Sequence, residues 1–200
     1  MKAGGCTRRA FLGVGAAALV AARAARANAA PCPPTPPNVE GPFYLPGAPF
    51  RAELAPKGEP GERLSLGGRV LAAPDCRPLA GAVVDVWHAS AEGFYYNLDG
   101  PPDPEGFALR GRASTDAEGR YAFATVLPGH YRLTRTRWRP RHVRYRVSHP
   151  ECRTLVTQLY FAGDPHLPGD PFALPALVVH LTAGSAGGLE GVFDVVLERA

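Results

Sequence analysis

Two hundred residues suffice for one ordinary domain with a short appendage and are too few for two large ones. With 46% hydrophobic and 20% charged residues the chain can build a core and is not disordered by composition. The formal charge of +4 is local. Residues 1–29 hold Lys2, Arg8, Arg9, Arg23 and Arg26 and no acid, which leaves 17 basic against 18 acidic residues elsewhere, a net of −1. That balance gives no electrostatic case for a nucleic-acid partner or an anionic membrane.

The N-terminus reads as an export signal. Thr7-Arg8-Arg9-Ala10-Phe11-Leu12 opens an apolar, Ala-rich stretch, Phe11 to Ala22, which is followed by Ala27-Asn28-Ala29. These are a basic region, a short apolar region and a small-x-small cleavage site. Paired arginines before Phe-Leu resemble a twin-arginine signal. The 12 apolar residues fall short of the ~20 that cross a bilayer. The expectation is a signal over 1–29 and a mature chain starting near Ala30. That chain would be exported to a periplasmic or extracellular location, with no membrane attachment after cleavage. The twin-arginine route carries folded proteins, so a cofactor inserted in the cytoplasm could travel with the chain.

Cleavage would remove Cys6 and leave Cys32, Cys76 and Cys152. Export permits a disulfide, and no C-x-x-C spacing suggests zinc. Cys32 with Cys76 is the preferred pair, because Cys32 lies on a Pro-rich segment otherwise loosely held. Three buried thiols remain the alternative.

Pro31-Cys32-Pro33-Pro34-Thr35-Pro36-Pro37 cannot form a helix or a central strand. It begins an extended arm over residues 30–62. The 23 glycines and 22 prolines of the chain argue against long helices and for a turn-rich, strand-built domain over 63–200. Strand-like runs follow at Arg63–Ala72, Ala82–His88, Tyr121–Thr125, Tyr131–Thr136, His142–Ser148, Leu155–Phe161, Ala176–Leu181 and Val192–Leu197. Turns are marked by Asp75-Cys76-Arg77-Pro78, Asp116-Ala117-Glu118-Gly119 and Pro128-Gly129. About eight strands with long Pro/Gly-rich loops make an all-β domain, a β-sandwich or barrel.

Potential metal donors concentrate between Tyr95 and His142. Tyr95 follows Gly93-Phe94, Tyr131 follows Pro128-Gly129-His130, and His142 opens a strand after Trp138-Arg139-Pro140. Phenolate oxygen with imidazole nitrogen suits Fe(III) better than Cu(I) or Zn. The bland reading of each is a packing residue with one hydrogen bond. His88 beside Trp87 reads as a core histidine, His166 and His180 lie outside the cluster, and Asp85 and Asp194 read as structural acceptors.

The ordered strings are more specific. They include Gly41-Pro42-Phe43-Tyr44, then Pro78-Leu79-Ala80-Gly81 running to Val86-Trp87-His88-Ala89, and Thr115-Asp116-Ala117-Glu118-Gly119-Arg120-Tyr121. After them come Pro128-Gly129-His130-Tyr131, Arg139-Pro140-Arg141-His142, and Thr157-Gln158-Leu159-Tyr160-Phe161-Ala162-Gly163-Asp164-Pro165. Over nearly all of residues 40–197 the chain resembles the intradiol ring-cleavage dioxygenases, the protocatechuate and catechol dioxygenase group, with the protocatechuate branch the nearer by its Trp-Arg-Pro and Thr-Gln-Leu-Tyr-Phe strings. The resemblance implies a β-sandwich holding non-haem Fe(III) and opening a catechol-type diol with O2 to a cis,cis-muconate. It implies Tyr95, Tyr131 and His142 as iron ligands, Tyr131 being the tyrosine that such enzymes release when substrate chelates the metal. It implies Arg139 as the cation beside the bound catecholate and Gln158 as a polar residue lining the same pocket. It also allows homo- or hetero-oligomers, some of whose subunits carry no iron.

One position departs from the pattern. Where the family has its second histidine this chain has Arg144, on the face of the strand shared with His142. A guanidinium has no free lone pair and stays protonated, so it cannot ligate iron and would repel it. Three accounts stand side by side. Arg144 swings outward and water fills the corner, or another histidine, His130 or His149, substitutes. Otherwise the site is degenerate and Arg144 binds something anionic, the chain being a metal-depleted binding module, or the chain is a non-catalytic partner subunit.

Overall fold

A computed structural model describes residues 32–185 and 187–200. The twin-arginine signature, the Ala27-Asn28-Ala29 cleavage site and the boundary expected near Ala30 lie outside the described residues.

Thirteen strands are described: β1 (Arg63–Ala72), β2 (Arg77–Pro78), β3 (Val83–His88), β4 (Arg110–Ser114), β5 (Arg120–Val126), β6 (Tyr131–Arg132), β7 (Trp138–Arg139), β8 (His142–His149), β9 (Cys152–Phe161), β10 (Val178–Val179), β11 (Thr182–Ala183), β12 (Leu189–Val192) and β13 (Val195–Leu197). One sheet of six strands runs β11-β12-β1-β13, with β2 and β5 on the other edge of β1. A second sheet of five runs β10-β9-β8-β3-β4, and β6-β7 form a separate ribbon. The all-β domain is as the alternation of the sequence implies, and of the two architectures left open it is the sandwich that the resemblance implied.

The differences have local causes. β4 carries Arg110 and Arg112 on one face and Gly111 and Ala113 on the other, so it shows no apolar alternation in the sequence. The run expected over Tyr131–Thr136 keeps only two strand residues, because Leu133 N–H bonds Arg137 C=O at 2.8 Å and turns the chain into β7. Ala176–Leu181 begins instead with a single 3-10 turn, Pro175–Leu177. The last run divides into β12 and β13 at Phe193, whose N–H bonds the Gly67 carbonyl at 2.8 Å. At Gly68 any Cβ would collide with the Phe193 carbonyl, so the crossing requires glycine there.

The inter-sheet core takes one face of each strand. Leu64, Leu66 and Val70 of β1 meet Val84 and Val86 of β3, Val143, Tyr145 and Val147 of β8, and Leu159 of β9. Strand alternation therefore sends Trp87, His142, Arg144, Gln158 and Tyr160 to the opposite face of the five-stranded sheet. The arm helps to cover that face. Its backbone bonds reach both sheets, from Thr35 N–H to Val196 C=O (3.0 Å), Asn38 N–H to Val156 C=O (2.8 Å) and Arg51 N–H to Arg112 C=O (3.0 Å). Cys32 and Cys76 form the disulfide and Cys152 is a buried free thiol, so the pairing follows the preferred reading.

Gly119 takes φ +74° at the turn where its N–H bonds the Asp116 carbonyl at 3.0 Å. His88 is buried, with Nδ1 donating to the Ala89 carbonyl and Nε2 accepting from the Thr125 hydroxyl, both at 2.8 Å. Asp85 accepts from the Tyr44 hydroxyl at 3.1 Å, and Asp194 from the Arg69 N–H at 2.8 Å.

Candidate metal centre

Three segments meet over the covered face. β8 contributes His142 and Arg144; Tyr131 opens the β6-β7 ribbon; Tyr95 sits in the loop after β3, where its N–H bonds Asp99 Oδ1 at 2.6 Å. The Tyr95 and Tyr131 ring centroids are 6.0 Å apart, and those of Tyr131 and His142 5.5 Å. Phe43 of the arm stacks on Tyr95 at 4.0 Å and meets Tyr131 edge-on at 5.9 Å, screening the cluster from water. The three donors expected from the sequence are thus neighbours.

Their polar atoms are unevenly served. His142 Nδ1 donates to the Pro140 carbonyl at 2.7 Å, which leaves Nε2 with the lone pair. That Nε2 is buried without a partner, and so is the Tyr95 hydroxyl. Burial, with the Arg139 and Arg144 charges adding, pushes the His142 pKa well below its usual value, so the ring is neutral. Burial also raises the Tyr95 phenol to about 12; Tyr131 adds to this and the nearby Arg144 guanidinium works against it.

Two buried atoms without a partner, beside a third hydroxyl, form a set that a single metal ion would satisfy. Two phenol oxygens and one imidazole nitrogen fit a hard ferric ion. Arg144 does not fit as a fourth donor.

Arg144 is fully buried, 1% exposed, and points into the cluster, so the outward swing considered from the sequence does not occur. Its Nη1 donates to the Val39 and Glu40 carbonyls at 2.8 and 2.6 Å, and its Nη2 to the Tyr131 hydroxyl at 3.2 Å. Neither histidine replaces it. His130 turns away to Asp164 Oδ2 at 2.8 Å, and His149 lies at the far end of β8 against the Glu151 N–H.

Arg139 is also buried, and its Nε bonds Asp170 Oδ2 at 2.5 Å. Its Nη1 reaches the Tyr131 hydroxyl at 3.4 Å and its Nη2 Gln158 Oε1 at 2.8 Å and the Tyr160 hydroxyl at 3.2 Å. Burial opposes its charge, but Tyr131, Asp170 and Tyr160 outweigh that and hold its pKa above the usual value. Gln158 does not line an open pocket. Its carboxamide is enclosed, with Oε1 on Arg139 and Tyr160 and Nε2 on Asn38 Oδ1 and the Val39 carbonyl, both at 3.0 Å. A cleft of about 530 Å³ opens beside the cluster, lined by Phe43, Phe94, Leu133 and Trp138 together with Tyr131.

Sequence reasoning missed Asp170, Tyr160, the two arm carbonyls and Arg110. The Arg110 Nη1 donates to the Phe43 carbonyl at 2.6 Å, and its guanidinium lies 5.7 Å from the Tyr95 ring centre. A buried arginine requires a nearby carboxylate or carbonyl, which was the one available signal for Asp170.

A family model described as Dioxygenase matches residues 39–199. Catechol 1,2-dioxygenase 2 of Acinetobacter lwoffii is 40% identical over 152 residues, 68% of this chain and 54% of that protein. The protocatechuate 3,4-dioxygenase beta chain of Burkholderia cepacia is 43% identical over 122 residues, 57% of this chain and 51% of its own. The chain thus spans about half the length of these curated relatives. Among solved structures, catechol 1,2-dioxygenase from Pseudomonas arvilla C-1 is similar at TM-score 0.75 and 34% identity, over 83% of this chain and 62% of that one. The dioxygenase domain of a dioxygenase–carbohydrate-binding fusion from Streptomyces sp. SirexAA-E is similar at TM-score 0.71 and 36% identity, over 84% of this chain and all of that one. With its sandwich, its donor cluster and a match from the arm to the last strand, the chain belongs to the intradiol ring-cleavage dioxygenase family.

Proposed function

We propose that the protein is a non-haem Fe(III)-dependent intradiol dioxygenase that opens a catechol-type diol with O2, between the two hydroxyl-bearing carbons, to a cis,cis-muconate. Diol and O2 together supply every atom of the product, so no further co-reactant is needed. The observation that carries this reading is the pair of buried, unpartnered atoms, the Tyr95 hydroxyl and His142 Nε2, beside the Tyr131 hydroxyl.

Tyr95, Tyr131 and His142 would hold the metal, which when bound supplies Lewis acidity toward the diol oxygens. The Pro140 carbonyl keeps the His142 lone pair aimed inward. Arg139, fixed by Asp170, presents a standing positive charge beside the Tyr131 oxygen, where a diol becoming electron-rich would be stabilised. Tyr131 belongs both to the donor cluster and to the lining of the cleft, so a ring held in the cleft would lie beside one of the metal donors. Phe43 of the arm covers the Tyr95 ring and also lines the cleft, so the arm forms part of the entrance to the centre. The relatives of both the catechol and the protocatechuate type support the substrate class without choosing a ring substituent. Export by the twin-arginine signal is part of the proposal, and the Cys32–Cys76 disulfide agrees with an oxidising compartment.

One observation favours a second reading, a metal-free binding module or partner subunit: the buried Arg144 guanidinium at the corner of the donor set. Elemental analysis of protein purified with ferric iron, its visible spectrum, and oxygen uptake with catechol separate the two. Bound iron, a red tyrosinate charge-transfer colour and muconate formation are expected. A colourless, iron-free, inert protein would establish the second reading instead.

A further inference from the structure

We infer that Arg144 is a positioning residue that has exchanged a fourth metal donor for a clamp on the arm, one guanidinium tying the arm backbone to the Tyr131 hydroxyl. The metal half of this inference rests on the ferric reading above; the arm half does not.

The clamp is built from both sides. Arg144 Nη1 takes two consecutive arm carbonyls, Val39 at 2.8 Å and Glu40 at 2.6 Å, while Nη2 takes Tyr131 at 3.2 Å. Two of the three partners are backbone carbonyls and the third is a phenol oxygen, so no carboxylate bonds this guanidinium. The next arm residue is Gly41, at φ +70°, where an added Cβ would lie 2.5–2.7 Å from Nη1, Cζ and Nη2. A side chain at residue 41 would push the guanidinium off the arm, and glycine lets the two meet.

The contacts close into a ring. Arg144 reaches Tyr131, Tyr131 accepts from Arg139 at 3.4 Å, and Arg139 donates to Gln158 at 2.8 Å. Gln158 returns to the Val39 carbonyl at 3.0 Å, the same atom that Arg144 holds. The Tyr131 hydroxyl is thereby placed by two guanidinium groups, one of which is itself placed by the arm. A histidine at 144 would regain a lone pair and shed a like charge, but it is too short to hold two carbonyls. Metal affinity and arm docking should therefore move in opposite directions, which neither a vacant ligand corner nor a purely structural arginine would produce.

The test compares the wild type with Arg144→His and Arg144→Lys, using Gly41→Ala as an approach from the arm's side. Circular dichroism checks that each variant keeps the sandwich. Chymotrypsin cleavage after Phe43 and Tyr44 in metal-free protein reads the arm. Ferric titration followed by the tyrosinate charge-transfer band reads the centre. Arg144→His is expected to speed cleavage about tenfold or more, as loss of one or two charge-assisted hydrogen bonds implies. It should also tighten iron by at least about tenfold, the low end of what partners beyond the ligands are worth. Arg144→Lys and Gly41→Ala should free the arm, and Arg144→Lys, which keeps the charge, should not improve iron binding. Wild-type cleavage rates in all three variants would overturn the clamp. Iron binding by the wild type that Arg144→His does not tighten, or that Arg144→Lys tightens equally, would overturn the exchange. If no variant binds iron, the ferric reading fails, while the cleavage rates still decide the clamp.

Discussion

Arg144 and Gln158 face each other in register across β8 and β9, and both donate to the Val39 carbonyl, at 2.8 and 3.0 Å. One cross-strand pair of the sheet thus holds the arm, and through the arm's position it shapes the centre. Neither residue needs to touch a substrate to matter to it.

Gln158→Leu preserves volume but removes all four polar contacts of the carboxamide. Arg139 loses an acceptor inside the core and the half-buried Asn38 loses a donor, and a buried polar group stranded as Arg139 would be costs about 1–3 kcal/mol. Urea unfolding should show a loss of about that size with an unchanged m-value. An unchanged midpoint would mean that water enters and replaces the amide.

Asp170→Asn breaks a pair buried at both ends, 2% and 0% exposed on the side chains. Stranding a buried arginine costs about 3–5 kcal/mol. The Arg139→Leu/Asp170→Leu double variant should lose much less than the two single losses combined, because it leaves no charge unpaired. Additive losses in thermal unfolding would show that the pair is not coupled.

His88 links stability to pH. Its burial lowers the pKa from 6.5 to about 4, with the Ala89 hydrogen bond resisting and the Arg110 charge assisting. The unfolded chain therefore binds the proton first as pH falls. Stability is full above pH 6.5 and declines toward pH 4, by about 3 kcal/mol from this group. In urea titrations at stepped pH, His88→Gln should flatten the slope across that window. An unaltered slope would assign the acid lability to other groups.

The Cys32–Cys76 bond spans 44 residues and ties the arm to the turn between β1 and β2. Cys32→Ser should lower stability by about 2–4 kcal/mol while leaving the β-sheet circular-dichroism signal intact. Replacing Arg8 and Arg9 by lysines should trap an unprocessed precursor inside the cell, and a processed, disulfide-bonded product in that strain would exclude the twin-arginine route.

The alternation within single strands was enough to read an all-β domain, a sandwich or barrel, because which face of β3 and β8 turns inward depends only on each residue and its neighbours two positions away, and the family resemblance chose the sandwich. The same local logic put His142 and Arg144 on one face, and the chemistry of a guanidinium alone makes Arg144 unfit as a ligand. β4 was illegible, since its arginines face the arm instead of solvent and its inward side chains are glycine and alanine. Whether Arg144 swung out or in, what neutralised Arg139, and where the arm lay were decided only by tertiary structure. Their partners, Asp170 at 31 residues from Arg139 and Val39 at 105 from Arg144, meet through the packing of the whole chain. A hydrogen bond across that distance leaves no periodic mark in the sequence, because it depends on how separate segments stack and not on the residues flanking either end.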